Sequence, residues 1–333
     1  MSRFIERARA SARLQQQATK VRALRNRWVD QPLIQVERAR RQFKAGPVEV
    51  LYLGDSSANT WTTEDSDRRS IPELVAERVG GTVASIVSPG LSADAFAEIV
   101  RILGTLNERP RAVMVTVTIR THLMTHVAHH PQFGYQRSVA AMRGVTTARR
   151  PIRAFGRGGV RDTPRERGAF LAMPIDTRWG GVITVGEFRD KLAGLGAPPW
   201  PQEVERMRYN YFHGELLPAD LPEFKAFRDL ARELAAYGVP VIPFWNAPPL
   251  EHGEQLFPGE FESHVRQQLE QVKAALRESD PTFPEFIDPQ LTDADYEDSR
   301  LANEHYRLSG RSKIADAIVA RLPPHPTDPR NQP

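Results

Sequence analysis

Between residues 48 and 322, short apolar runs alternate with amphipathic helical segments, and this alternation limits the fold more than any other feature of the chain. The run "VEVLYL" (48–53) is followed by "SIPELVAERVGG" (70–81), where Ser70, Pro72 and Glu73 mark a helix start: a hydroxyl cap, a first-turn proline and a capping-box glutamate. "TVASIV" (82–87) is a second strand, and 92–105 is a helix opened by Ser92. "RAVMVTVTI" (111–119) is a third strand, apolar and β-branched almost throughout, as expected when both faces of a sheet are covered. A helix over 222–238 closed by Gly238, a strand over 239–246, a helix over 260–279, a short strand over 284–288 and a helix over 309–322 complete the series. This order predicts a three-layer α/β sandwich with a central parallel sheet, helices on both faces and right-handed crossovers.

Two regions depart from the rhythm. Residues 131–220 are rich in Gly, Pro and Arg and read as a long insertion, either a lid, a binding loop or a disordered segment. Residues 1–46 read as a basic helical extension. Leu14, Ala18, Val21, Leu24 and Trp28 form a narrow apolar stripe over 2–29, Pro32 interrupts it, and a shorter helix resumes over 33–44. This extension holds twelve basic and three acidic residues, a net +9, so the remainder carries −5 of the total +4. The division is therefore 1–46, an α/β domain over 47–322 with the insertion, and a Pro-rich tail over 323–333.

The charge split points to an anionic membrane face, the acidic body itself or a second copy of the chain as partner for residues 1–46. Nucleic acid is not expected, because phosphate neutralisation needs a basic face on the fold. The chain has no cysteine, which excludes disulfides, thiolate catalysis and cysteine-ligated metals. It has no run of about 18 apolar residues and no apolar signal core near its start, so a cytoplasmic protein is expected, peripheral to a membrane at most.

In an open parallel sheet, ligands bind beyond the carboxyl ends of the strands. Here those ends are Gly54-Asp55-Ser56, Ser88-Pro89-Gly90 and Arg120-Thr121-His122; Asn246 ends the fourth strand, and the last strand is followed by an acidic loop and then "NEHYRLSG". A hydroxyl, a glycine N–H, a guanidinium and the imidazole of His305 thus meet at one edge, which is the set that nucleophilic catalysis uses.

These motifs resemble those of the SGNH or GDSL hydrolases, over roughly residues 48–103, 111–123 and 239–320. "LGDSS" looks like the first block, which implies Ser56 as nucleophile, with its N–H in the oxyanion hole. "SPGLSADAF" looks like the second, which implies the N–H of Gly90 as an oxyanion donor. "NEHYRLSGRSKIADAI" looks like the fifth, which implies His305 as base. The resemblance implies a flavodoxin-like fold and hydrolysis or transfer of an acyl group on a carbohydrate or small ester. Two positions depart from the pattern. Arg120 stands where the third block supplies an asparagine donor, and a guanidinium can serve an oxyanion as well. Ala302 stands where the family's aspartate would, leaving Asp298, Glu304 or a Ser-His dyad. Asp55, His122 and Asn246 are candidate substrate-binding residues.

Plainer readings stand beside these. Ser56 could cap the following turn, His305 could be a surface residue and Gly90 an ordinary turn glycine. A catalytically silent scaffold that binds a glycan or a protein is the rival function. His122, His126, His129 and His130 are close in sequence, but pocket lining is favoured over a metal site. "DADYEDS" (293–299) lacks the glycine and spacing of a calcium loop and reads as a solvated acidic run. "GRGG" (156–159) follows no strand, and no phosphate-binding loop is present, so neither a cofactor nor a metal is expected.

Overall fold

The computed structural model describes residues 31–60, 62, 64–123, 168–169, 171–194, 199–217 and 222–324. The stripe over 2–29, His126, His129, His130, the first part of the insertion and the end of the tail lie outside the described residues. In chain order the strands are β1 (Val50–Gly54), β2 (Val83–Val87), β3 (Ala112–Val117), β4 (Pro174–Thr177), β5 (Gly181–Thr184) and β6 (Val241–Trp245). The helices are α1 (Gln31–Ala45), α2 (Ile71–Val79), α3 (Ala93–Leu103), α4 (Val185–Ala193), α5 (Gln202–His213), α6 (Pro222–Tyr237), α7 (Leu250–Leu256), α8 (Phe261–Ser279) and α9 (Leu308–Ala320).

The central sheet is parallel, in the order β2–β1–β3–β6. Leu51 of β1 is level with Ala84 of β2 and Val113 of β3. Because side chains alternate along a strand, Leu51, Leu53, Ala84, Ile86, Val113 and Val115 face one way, against α1, α3, α6 and α8. Val50, Tyr52, Ala112, Met114, Ile242 and Phe244 face the other way, against Ile71, Leu74 and Val75 of α2 and Ile314, Ala315 and Ile318 of α9. The result is a three-layer α/β sandwich. The chain leaves β1 for β2 on one side and returns for β3 on the other, so the crevice opens at the carboxyl edge between β1 and β3.

The helix start at Ser70 forms as its sequence requires: Glu73 N–H donates to Ser70 Oγ, and Ser70 N–H donates back to the Glu73 carboxylate. The run over 284–288 is cut to a single bridge, in which Ile287 N–H donates to Pro243 O at 2.9 Å. Pro284 and Pro289 flank it and cannot supply ladder donors.

The boundary at residue 46 is corrected. Helix α1 packs its fully buried Val36 and Ala39, together with Phe43, into the core. Gln35 also pairs with the edge of β2, its amide N–H donating to Val87 O and its carbonyl accepting from Val87 N–H. Its second half is thus a wall of the body and not an appendage. The insertion is likewise not irregular throughout. An antiparallel β4–β5 hairpin, α4 and α5 form within it, and α5 contributes Tyr209, Tyr211 and Phe212 to a separate aromatic core with Phe257 and Phe261. Among the described residues no helix is long and apolar enough to cross a membrane.

Three buried histidines give the fold an acid limit. Burial pushes His122 down to about 4, His213 to about 3 with Arg120 adding to the effect, and His264 to about 4 with Arg178 adding to it. In the unfolded chain each titrates near its ordinary value of about 6.5. Between about pH 6.5 and 4 the unfolded chain therefore binds protons that the folded chain excludes, and stability falls as pH falls through that window. Each histidine is expected to cost about 1–3 kcal/mol by pH 4. Thermal midpoints measured from pH 8 to pH 4 should drop mainly below pH 6.5, and His264→Gln should flatten the slope.

Candidate active site

The turn after β1 explains the Gly-Asp-Ser stretch. A Cβ at Gly54 would stand 2.7 Å from the Tyr52 ring and 3.3 Å from Thr116 Oγ1, so only glycine fits the strand end there. Asp55 is buried and accepts from Ser57 N–H at 2.9 Å and Ser57 Oγ at 2.6 Å, capping the short 3₁₀ turn Ser56–Asn59. The cap is Asp55, not Ser56. That frees the Ser56 hydroxyl, which lies half-buried at the sheet edge.

The partner of Ser56 arrives from 249 residues away: its Oγ lies 3.4 Å from His305 Nε2. His305 sits on one arm of a loop closed by an antiparallel bridge between Tyr296 and Tyr306. On the opposite arm, Glu297 N–H donates to His305 O at 2.8 Å, and the Glu297 carboxylate reaches His305 Nδ1 at 3.5 Å. The three side chains stand in the order Ser56, His305, Glu297. With the proton on Nδ1 directed at Glu297, Nε2 is left as the acceptor for the Ser56 hydroxyl.

Neither acid expected from the sequence occupies that place. Asp298 caps the turn Ser299–Leu301 and pairs with Arg300 at 2.8 Å, which holds its carboxyl below the usual range. Glu304 is almost wholly buried, and its carboxylate lies 2.5 Å from Arg120 Nη2. Burial pushes Glu304 up, and Arg120 opposes that. Ala302 is buried in a left-handed conformation (φ +53°), with its carbonyl 3.0 Å from His213 Nε2, so this position serves packing.

Of the other expected residues, Gly90 has φ +71° and lies in the turn after β2, a conformation that glycine adopts without strain. Arg120 is held by Glu304 and lies over the Phe212 ring, so it is not a freely disposed oxyanion donor. Asp55, His122 and Asn246 are corrected as substrate-binding residues. Asp55 is buried, and its Oδ1 is taken twice by Ser57. His122 is buried, its ring centroid 4.5 Å from that of Phe227. Asn246 is 1% exposed, donates to Thr118 Oγ1 at 2.8 Å and accepts from Tyr306 OH, tying together the ends of β3 and β6 and the residue after His305.

The residue that sequence reasoning missed is Glu297. It belongs to the acidic run read as solvated, and its partner is eight positions on, a spacing set by the loop closure and by no helical or strand period. Glu297 also borders an open cavity of about 440 Å³, lined further by Glu64, Asp298, Arg300 and Arg307. No protein-family model matches the chain, and no curated protein matches its sequence at a significant level.

Proposed function

We propose that this chain is a serine-dependent acyl-ester hydrolase or O-acyltransferase of the SGNH type, working through an acyl-enzyme on Ser56. The observation that carries this reading is the aligned set of Ser56, His305 and Glu297 at the carboxyl edge of a parallel sheet. The strand order supports the fold half of it: β2–β1–β3–β6, with the Ile287 bridge in fifth place, follows the flavodoxin-like sequence of strands. The acceptor class is a carbohydrate or small acyl ester. The protein would act in the cytoplasm, with residues 1–30 available for a membrane face or a second copy.

In this mechanism Ser56 Oγ attacks the ester carbonyl as His305 Nε2 takes its proton. Glu297 stabilises the imidazolium and fixes the tautomer. The N–H groups of Ser56 and Gly90 receive the negative charge on the tetrahedral oxygen. His305 then passes its proton to the departing alkoxide, which leaves an acyl-Ser56. Water, or an acceptor hydroxyl activated by the same imidazole, releases the acyl group and restores the serine. No step draws on a cofactor. The silent-scaffold alternative rests on Ala302 and on Arg120 in place of the asparagine donor; a carboxylate from Glu297 beside the imidazole speaks against the first of these and leaves the second.

The test is p-nitrophenyl acetate. A burst of nitrophenolate stoichiometric with protein, followed by a slower steady phase that quickens on adding a sugar acceptor, would identify a transferase. A steady rate indifferent to acceptors would identify a hydrolase, and no release above buffer would reject both. Glu297→Gln is expected to lower kcat by about 10²–10³-fold with KM little changed, because the amide no longer orients or stabilises the charged ring. Asp298→Asn should cost far less. A loss of under about tenfold in Glu297→Gln would mean that a Ser-His dyad suffices.

A further inference from the structure

Two guanidinium groups share the ring of Phe212. Arg120 Cζ lies 5.0 Å from its centroid and Arg208 Cζ 5.4 Å, and Arg208 also lies 4.5 Å from the ring of Trp200. Arg120 follows β3, whereas Arg208 comes from α5, so the insertion adds a second cation beside the one supplied by the sheet. Their carboxylate company is thin. Arg120 has Glu304 at 2.5 Å, and among the described residues no carboxylate lies within 4 Å of Arg208. Arg208 Nη2 donates to Leu301 O at 2.9 Å, four residues before His305. The Nε atoms of both arginines are buried without a hydrogen-bond partner among the described residues.

This arrangement is costly as it stands. Buried N–H groups without acceptors are unfavourable, and two cations at one ring repel each other. Cation–π contact returns part of that, but leaves the two in-plane Nε–H groups unsatisfied. Burial pushes Arg208 down, the charge of Arg120 adds to this, and the more distant Asp298 opposes it. Glu304 occupies only Nη2 of Arg120, and Nε is left without an acceptor among the described residues. An incoming oxyanion would meet the planar N–H forks for which guanidinium is suited.

We propose that Arg120 and Arg208 form a receptor for an anionic group, a carboxylate or a phosphate, carried by the sugar that the site acylates or deacylates. This rests on the ester chemistry proposed above and narrows its substrate class to acidic carbohydrates. The receptor flanks the His305 loop: Arg120 contacts Glu304, the residue before the base, and Arg208 is bonded to Leu301. Arg120 thereby moves from oxyanion donor to substrate recognition. Helix α5 is the part of the insertion that supplies both Arg208 and the shared Phe212 ring.

The test uses the full chain and titration calorimetry at low salt with three probes: glucose, glucuronate and glucose 1-phosphate. At least one acidic sugar is expected to bind about tenfold or more tightly than glucose. Its advantage should shrink as sodium chloride is raised and be lost in Arg208→Gln, with Arg208→Lys recovering little of it. The tighter of the two acidic sugars names the group, carboxylate or phosphate. Should Arg208→Gln fail to fold, the wild-type comparison of the three sugars decides alone. Equal binding of all three, or none, by protein whose Ser56 still labels with a fluorophosphonate would overturn the receptor and leave the ester chemistry intact. Preferential binding of an acidic sugar by protein that does not label would uphold the receptor and remove the ester chemistry.

Discussion

Ser56→Ala is expected to lower p-nitrophenyl acetate turnover by about 10⁴-fold or more, the scale on which loss of a catalytic serine removes the covalent route. The thermal midpoint should move by no more than about 2–4 °C, because the hydroxyl makes one long contact, 3.4 Å to His305, whose net worth is at most about 1 kcal/mol. That separation of activity from stability is what distinguishes a nucleophile from a cap. Asp55 is the cap here, and Asp55→Ala should do the reverse, costing about 1 kcal/mol or more of stability through the loss of its bonds to Ser57. His305→Ala should match Ser56→Ala in activity, and the double variant should be no worse than either, since the two act as one unit.

The largest effect on stability is expected at Arg311. This arginine is fully buried in α9 and binds four partners: Nη1 donates to Thr60 O, Asp65 Oδ2 and Tyr306 O, and Nη2 donates to Asp67 O at 2.7 Å. It therefore clamps the segment that follows the Ser56 turn to the residue that follows His305. Burial pushes Asp65 up, but the N–H groups of Thr62 and Leu308 and the charge of Arg311 outweigh that and hold it low. Arg311→Ala would take the cation from this carboxylate, leaving it only the N–H groups of Thr62 and Leu308, and would remove a donor from three carbonyls. The expected loss is about 3–5 kcal/mol in urea unfolding, with ester turnover falling in whatever remains folded. Arg311→Lys should recover little, because an ammonium cannot span the same set of acceptors. A loss under about 1 kcal/mol would show that the clamp is not what holds the Ser56 and His305 turns together.

Much of this was written in the sequence. The alternation of strands and helices, the Ser70 capping box and the covered third strand follow from patterns that the fold obeys locally. The convergence of Ser56 and His305 follows from the rule that places sites at strand ends. What escaped did so for physical reasons. Glu297 reaches His305 across a bridged loop, so no periodic spacing announces it. Helix α5 carries its apolar residues as aromatics inside a stretch whose Gly, Pro and Arg content suggests a loop. Helix α1 is as basic as the extension it continues, yet three small or apolar positions, Val36, Ala39 and Phe43, suffice to dock it. Asp55, His122 and Asn246 are polar residues at strand ends, but their environments turn them inward as cap, packing and tie. Polarity at a sheet edge marks where a site can be, and the hydrogen-bond partners decide which residues remain free to serve it.

The central claim is that Ser56 is a nucleophile activated by His305 and Glu297. Its most direct test is the mass of the full chain, with peptide mapping, after incubation with a fluorophosphonate. A single adduct on Ser56 is expected, formed more slowly in Glu297→Gln and absent from Ser56→Ala. Folded wild-type protein that gains no adduct, or that carries it on Ser57 instead, would contradict the claim.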